Sequence, residues 1–181
     1  MRYVVQRTAL SLADRVVTSP VFSWTWSGTE GEGYACRLID FRPADSQTVI
    51  EMMEGNYLLG ARLIDTGGAS PFGVDIEPDA WFDELHGFGW LRHFAPLRDT
   101  GQRRFARTLV MDWIGRFGRF DRDAWSVFAT ARRVLNWLKN LDLLLEDANP
   151  EQSQSILRAL SVQIQSLKLR DGLAAEPLDG L

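Results

Sequence analysis

Apolar residues recur at helical spacing in four stretches, most densely in the second half of the chain. From about residue 78, Trp81, Leu85, Phe88 and Leu91 fall in one stripe. Phe82, His86, Trp90 and His93 fall in a second stripe, roughly opposite. Pro78-Asp79 suits the start of this helix, because proline fits the first turn and a carboxylate favours the positive end of the helix dipole. A helix with two apolar faces is buried on both, or buried on one while the other lines a groove. Gly87 and Gly89 each cost about 1 kcal/mol relative to alanine in a helix interior. They permit close packing, leave room for a ligand, or mark a break.

Phe105, Leu109, Trp113 and Phe117 form the next stripe, after Thr100-Gly101 and ending near Gly115 to Gly118. A third helix is expected from a cap at Asp121 or Asp123 to about Leu145. Trp125, Phe128 and Leu135 lie on one side of it, and Val134, Trp137, Leu141 and Leu144 on another, the mark of a central helix. Asn149-Pro150 opens a fourth, with Leu157, Leu160, Ile164 and Leu167 on its buried side and Gly172 as its stop. Short links predict antiparallel neighbours. No heptad repeat is long enough for a coiled coil.

The first half is less regular. Val5, Ala9, Leu12 and Val16 predict a helix over 1–19, ended by Ser19-Pro20. Phe22, Trp24 and Trp26 alternate as in a short strand, and Gly28, Gly31 and Gly33 break the pattern. Asp45 to Met53 reads as a short helix, Tyr57 to Ile64 as a hairpin or extended arm, and Thr66 to Pro71 as a loop. The expected fold is mainly α: antiparallel helical hairpins, in a bundle or a segment of an α/α-barrel, preceded by an irregular arm with a short β-hairpin. The chain divides into a helix and extended arm over 1–76, a helical segment over 77–172 and a tail over 173–181.

Composition changes this picture in two places. Seven Trp and ten Phe in 181 residues mean either a well-filled core or rings stacked on sugar faces, and the core is the plainer reading. Charge is unevenly placed. Residues 1–91 hold 6 basic and 13 acidic side chains, net −7, whereas residues 92–139 hold 11 and 4, net +7. Residues 140–181 hold 3 and 7, net −4. A basic middle in an acidic chain points to a local anionic partner, or to solvated helix faces. With a pI of about 5.2 and no recognised nucleic-acid-binding motif, no nucleic-acid partner is expected. No run approaches the ~20 apolar residues needed to span a bilayer, so no membrane partner is expected. The N-terminus makes a poor signal peptide, which favours a cytoplasmic location.

Candidate chemistry is sparse. His86 and His93 share a helix face, but seven residues put them about 10.5 Å apart along the axis, too far to ligate one metal together. Cys36 adds no ligand spacing and no disulfide, and Gly67-Gly68 lacks the context of a phosphate-binding loop. No metal or cofactor is expected. Asp83 and Glu84 are adjacent on a helix and diverge, so they make no glycosidase pair. His86 suits general acid–base work by its ordinary pKa, or is a packed histidine. Arg132-Arg133 suits a bidentate carboxylate contact, or a salt bridge to a neighbouring helix.

The stretch Trp81-Phe82-Asp83-Glu84-Leu85-His86-Gly87-Phe88-Gly89-Trp90-Leu91 resembles the N-terminal region of heparinase II/III-family polysaccharide lyases. Ala106 to Ile114, then Trp125, Ala131 to Leu138 and Leu143-Leu144-Leu145 follow in the order found there. The likeness covers residues 45–172. It implies an α/α-toroid followed by a β-sandwich, and β-elimination on uronic-acid-containing glycans. In that reaction a base removes the proton beside a neutralised uronate carboxylate, and an acid protonates the leaving oxygen. The family's main catalytic groups are an Asn in an Asn-His pair, a Tyr and further His residues. This chain has no Asn-His dipeptide, and Tyr3, Tyr34 and Tyr57 all precede the helical region. No catalytic residue carries over. The resemblance instead implies a chain truncated before the catalytic segment. It would bind an acidic polysaccharide or act as a scaffold, with Trp81, His86, Trp90, His93, Arg132 and Arg133 as candidate substrate contacts. The alternative is a helical protein-interaction module. Apolar faces left uncovered by a partial toroid predict a homo-oligomer or a separately encoded partner.

Overall fold

A computed structural model describes residues 38–175. The helix expected over 1–19, the strand at Phe22 to Trp26, and Cys36 lie outside the described residues. Helix α1 spans Ser46–Met53. Strands β1 (Asn56–Leu59) and β2 (Arg62–Asp65) form an antiparallel pair with Tyr57 opposite Ile64 and Leu58 opposite Leu63. A 3-10 turn covers Pro71–Gly73. Helices α2 (Ala80–Gly87), α3 (Leu91–Phe94), α4 (Thr100–Phe117), α5 (Val127–Lys139), α6 (Leu141–Leu145) and α7 (Pro150–Ala175) complete the chain. The fold is mainly helical with one short β-hairpin, as expected.

Side-chain caps start the longer helices. Asp45, Asp79 and Asp99 accept from the backbone N–H groups of Gln47, Phe82 and Gln102. Asn149 and Gln152 cap α7 reciprocally. The hairpin turns on Gly60 and Ala61, both left-handed at φ 54° and 60°, as a two-residue type I′ turn requires. A side chain at Gly60 would meet the Ala80 carbonyl carbon at 2.6 Å, so glycine is needed where the hairpin abuts α2.

Three expectations change. The single helix from residue 78 is broken: α2 stops at Gly87, and Phe88 adopts φ 57°. A bulky residue there costs about 1–2 kcal/mol. Phe88 holds it because its ring is fully buried, 5.7 Å from Phe72, 5.1 Å from Trp90 and 5.4 Å from Trp137. The third helix is shorter than expected and starts later. Ser126 caps it, while Asp121 closes the preceding turn by accepting from Asp123 and Ala124 N–H groups. It is also not wrapped by core. Phe128 and Leu135 are 62% and 46% exposed. It then breaks at Asn140, and Leu141 and Leu144 belong to α6. Finally, α7 runs through Gly172 to Ala175. Its buried line is Ile156, Leu160, Gln163, Ser166 and Arg170, whereas Leu157 is exposed.

One apolar cluster joins α1 and β1 to the helices. Val49, Met52, Tyr57 and Leu59 pack with Trp81, Leu85, Phe88, Trp113, Trp137 and Leu144. Arg133 stands at its centre, fully buried on α5. Its guanidinium lies 4.1 Å from the Trp113 ring centroid and donates to Gln163 Oε1, His86 O and Ala124 O. It thereby ties α5 to α2, to the turn before α5 and to α7.

Candidate functional site

The six residues read as contact candidates separate in space. Trp81, His86 and Arg133 lie in the core instead of on a ligand face. The Trp81 indole donates to Tyr57 O at 3.0 Å. His86 stacks on Phe82 at 3.9 Å and its Nδ1 accepts from the Trp113 indole at 3.1 Å. Burial, with a smaller contribution from Arg133, pushes the His86 pKa down to about 3. It is therefore a neutral packing residue with no access to a substrate.

Trp90, His93 and Arg132 meet at a cleft of about 580 Å³. Its wall runs from residues 42–45 and Thr48 through Leu58 and Leu59 of β1, Glu84 of α2, Gly89 and Trp90 of the α2–α3 turn, and Arg92 and His93 of α3, to Arg132 of α5. Trp90 lines the cleft from the core side, almost wholly buried, and its indole donates to Leu85 O at 3.1 Å. His93 accepts the Asp45 N–H on Nδ1 at 2.9 Å. Burial and the nearby Arg92 hold its pKa below the usual value. It stays neutral and anchors the start of α1.

The chemistry of the cleft is cationic. Arg42, Arg92 and Arg132 arrive from three separate segments and converge over Gly89. A side chain at Gly89 would begin 3.8 Å from Arg42 Nη1, 3.8 Å from Arg92 Nη1 and 3.9 Å from Arg132 Nη2. Glycine at this position, in the turn between α2 and α3, leaves backbone bare where any other residue would project a side chain. Gly87 does the same for Arg132, whose Cζ would lie 3.4 Å from a β-carbon there.

Each guanidinium is positioned differently. Arg42 forks onto Asp40, with Nε 2.9 Å from Oδ1, and donates to Asn136 Oδ1 at 3.0 Å. Asn136 in turn donates to Gly87 O at 2.7 Å. The Arg42 bond holds Asp40 well below the usual carboxylate range, and Lys139 stands 3.8 Å from the same carboxylate. Arg92 donates to Gly89 O at 2.7 Å, but its buried Nε has no hydrogen-bond partner. Burial first, and the Arg42 charge second, lower the Arg92 pKa. Arg132 lies over the Phe128 ring at 5.3 Å.

A second cleft, beside Arg98, Arg103, Asn140 and Glu146, differs in kind. Arg103 there donates to Asp142 O at 3.2 Å and to Glu146 Oε2 at 2.6 Å. Its Nη1 donates to Leu97 O at 3.4 Å, so both terminal nitrogens are engaged within the protein. Among the described residues, no cluster of His, Cys, Asp or Glu could hold a metal ion.

Sequence reasoning missed Arg42, Arg92 and Gly89. Arg42 lies far away in the chain, and no periodicity links it to α5. Gly89 did carry a signal, since a glycine that leaves room for a ligand was one reading of it. No family model, curated protein or solved structure matches the chain.

Proposed function

We propose that this chain is a glycan-binding helical domain, similar to the N-terminal part of heparinase II/III-family lyases. It holds an acidic polysaccharide in the Arg42–Arg92–Arg132 cleft and does not carry the elimination chemistry alone. The convergence of three guanidinium groups over Gly89 carries this reading. Uronate carboxylates are bound by arginine forks, and the half-open cleft has both charged donors and apolar wall. The histidines support binding over catalysis. His86 is sealed in the core and His93 has Nδ1 engaged by backbone, so neither stands as a free base in the cleft.

Calorimetric titration with uronic-acid oligosaccharides and neutral oligosaccharides of equal length tests the reading. Saturable binding of the acidic series alone is expected, weakening with added salt and falling at least tenfold in Arg92→Gln. Equal affinity for both series would sink it. Release of unsaturated uronate, followed by ultraviolet absorbance, would overturn the view that the chain binds without cleaving.

A second reading, a protein-interaction module, has its own observation. Val127, Phe128 and Leu135 form an exposed apolar line on α5.

A further inference from the structure

We propose that the bare backbone of Gly89 is the seat of a phosphomonoester group, carried on a hydroxylated, sugar-like body. This rests on the reading of the cleft as the ligand site and goes beyond it, because a uronate presents a different anion.

Charge is the first argument. Arg42 is neutralised by Asp40. Arg92 and Arg132 take part in none of the ion pairs among the described residues. Two positive charges therefore face one spot with no carboxylate within ion-pair distance, although Glu84 and Asp45 line the same cleft. A phosphomonoester carries about −1.5 to −2 near neutral pH, whereas a carboxylate or a sulfate monoester carries a single charge.

Shape is the second. The three guanidinium groups approach Gly89 from the segment before α1, from α3 and from α5. Donors from three directions match the three terminal oxygens of a tetrahedral group. A planar carboxylate is matched by one fork. Arg92 Nη1, the Arg92 atom nearest a side chain at Gly89, donates to Gly89 O at 2.7 Å, which fixes that guanidinium beside the seat. Holding like charges together disfavours the free protein, and a bound dianion relieves it.

The rest of the lining describes the carrier. Glu84, Asp45 and Thr48 also border the cleft. Glu84 accepts from Gly60 N–H, and Asp45 accepts from Gln47 N–H and the Thr48 hydroxyl; their remaining lone pairs can accept from ligand hydroxyls. A ligand with one dianionic end and a neutral hydroxylated body fits this lining.

The test is calorimetry on the full chain at pH 8, using methyl phosphate, methyl sulfate, inorganic phosphate, glucose 6-phosphate and a uronic-acid oligosaccharide. Methyl phosphate is expected to bind at least tenfold more tightly than methyl sulfate, and glucose 6-phosphate more tightly than inorganic phosphate. If methyl phosphate shows the tenfold preference but inorganic phosphate equals the sugar ester, the seat stands and the sugar-like carrier is overturned. Gly89→Ala sets a methyl on the seat. Its contacts are ordinary van der Waals distances and its backbone is not left-handed, so the fold should persist. A tenfold or greater loss of methyl phosphate binding is expected at an unchanged melting temperature. Arg132→Gln, at the half-buried rim, is expected to show the same loss and decides the matter if Gly89→Ala proves unstable. Methyl phosphate binding no more tightly than methyl sulfate, or unchanged in the deciding variant, overturns the seat. Uronate binding without phosphate binding sinks the seat and leaves the acidic-glycan reading intact. Phosphate binding without uronate binding does the reverse.

Discussion

His86 shows how a residue that looks catalytic becomes structural once its neighbours are known. Its ring is packed by Phe82, Phe117 and Phe72 and accepts from Trp113. Burial pushes its pKa down to about 3, against about 6.5 in an unfolded chain. The unfolded state therefore takes up the proton first as pH falls. The stability that neutral His86 supplies is complete above about pH 6.5 and is lost progressively toward pH 3. Roughly 3 kcal/mol should disappear between pH 7 and pH 4 from this ring alone, with His93 shifted in the same direction. His86→Asn keeps an acceptor for the indole but no proton to gain. Thermal melts across that range should show a flatter pH dependence in the variant, and identical slopes would contradict the assignment. Arg133 makes the same point. From its place beside Arg132 it reads as a surface cation, yet only Arg132 reaches the cleft. Adjacent helix positions point about 100° apart, and the deep face of α5 places Arg133 against Trp113.

The longer helices were legible because periodicity over four turns is a strong signal. α4 begins and ends where its pattern does, and Asn149 caps α7 as expected. The breaks were not legible. α2 and α3 share continuous apolar spacing, and the interruption at Phe88 is imposed by tertiary packing of its ring. α5 and α6 part at Asn140, whose side chain donates back to Asn136 O at 2.7 Å, a local competitor with the next helical turn. The start of α5 was misjudged because two aspartates lay close to a serine and all three are good caps. Ser126→Ala should lower stability by about 1 kcal/mol, while Asp123→Ala should stay within about 0.5 kcal/mol. Urea unfolding of both separates them, and a larger loss in Asp123→Ala would return the cap to the aspartate.

Across the molecule, the basic middle resolves into distinct jobs. Arg103 and Arg107 cap the carbonyl end of α6, with Arg107 Nε 3.1 Å from Leu144 O. Arg116 pairs with Asp112 one turn away, Arg133 braces the core, and Arg92 and Arg132 face the cleft. The outer side of α5 is left with an apolar line through Val127, Phe128 and Leu135. If this line is a docking surface, the chain self-associates or takes a partner there. Light scattering at rising concentration should then report a mass above that of one chain. Replacing both Phe128 and Leu135 with serine should restore the monomer at little cost in stability. A wild-type monomer at high concentration, with no partner bound, would remove the interaction reading.

The sequence alone determined the mainly helical class, the β-hairpin before the helices, most helix starts and the uneven charge. All of these rest on local spacing and local capping, which neighbouring residues decide between themselves. Only the tertiary structure decided where helices break, which of two adjacent arginines is buried, and that Arg42 joins Arg92 and Arg132 over Gly89. Those outcomes depend on contacts between segments far apart in the chain, where rings compete for the core and a bare backbone leaves a space that charges can share.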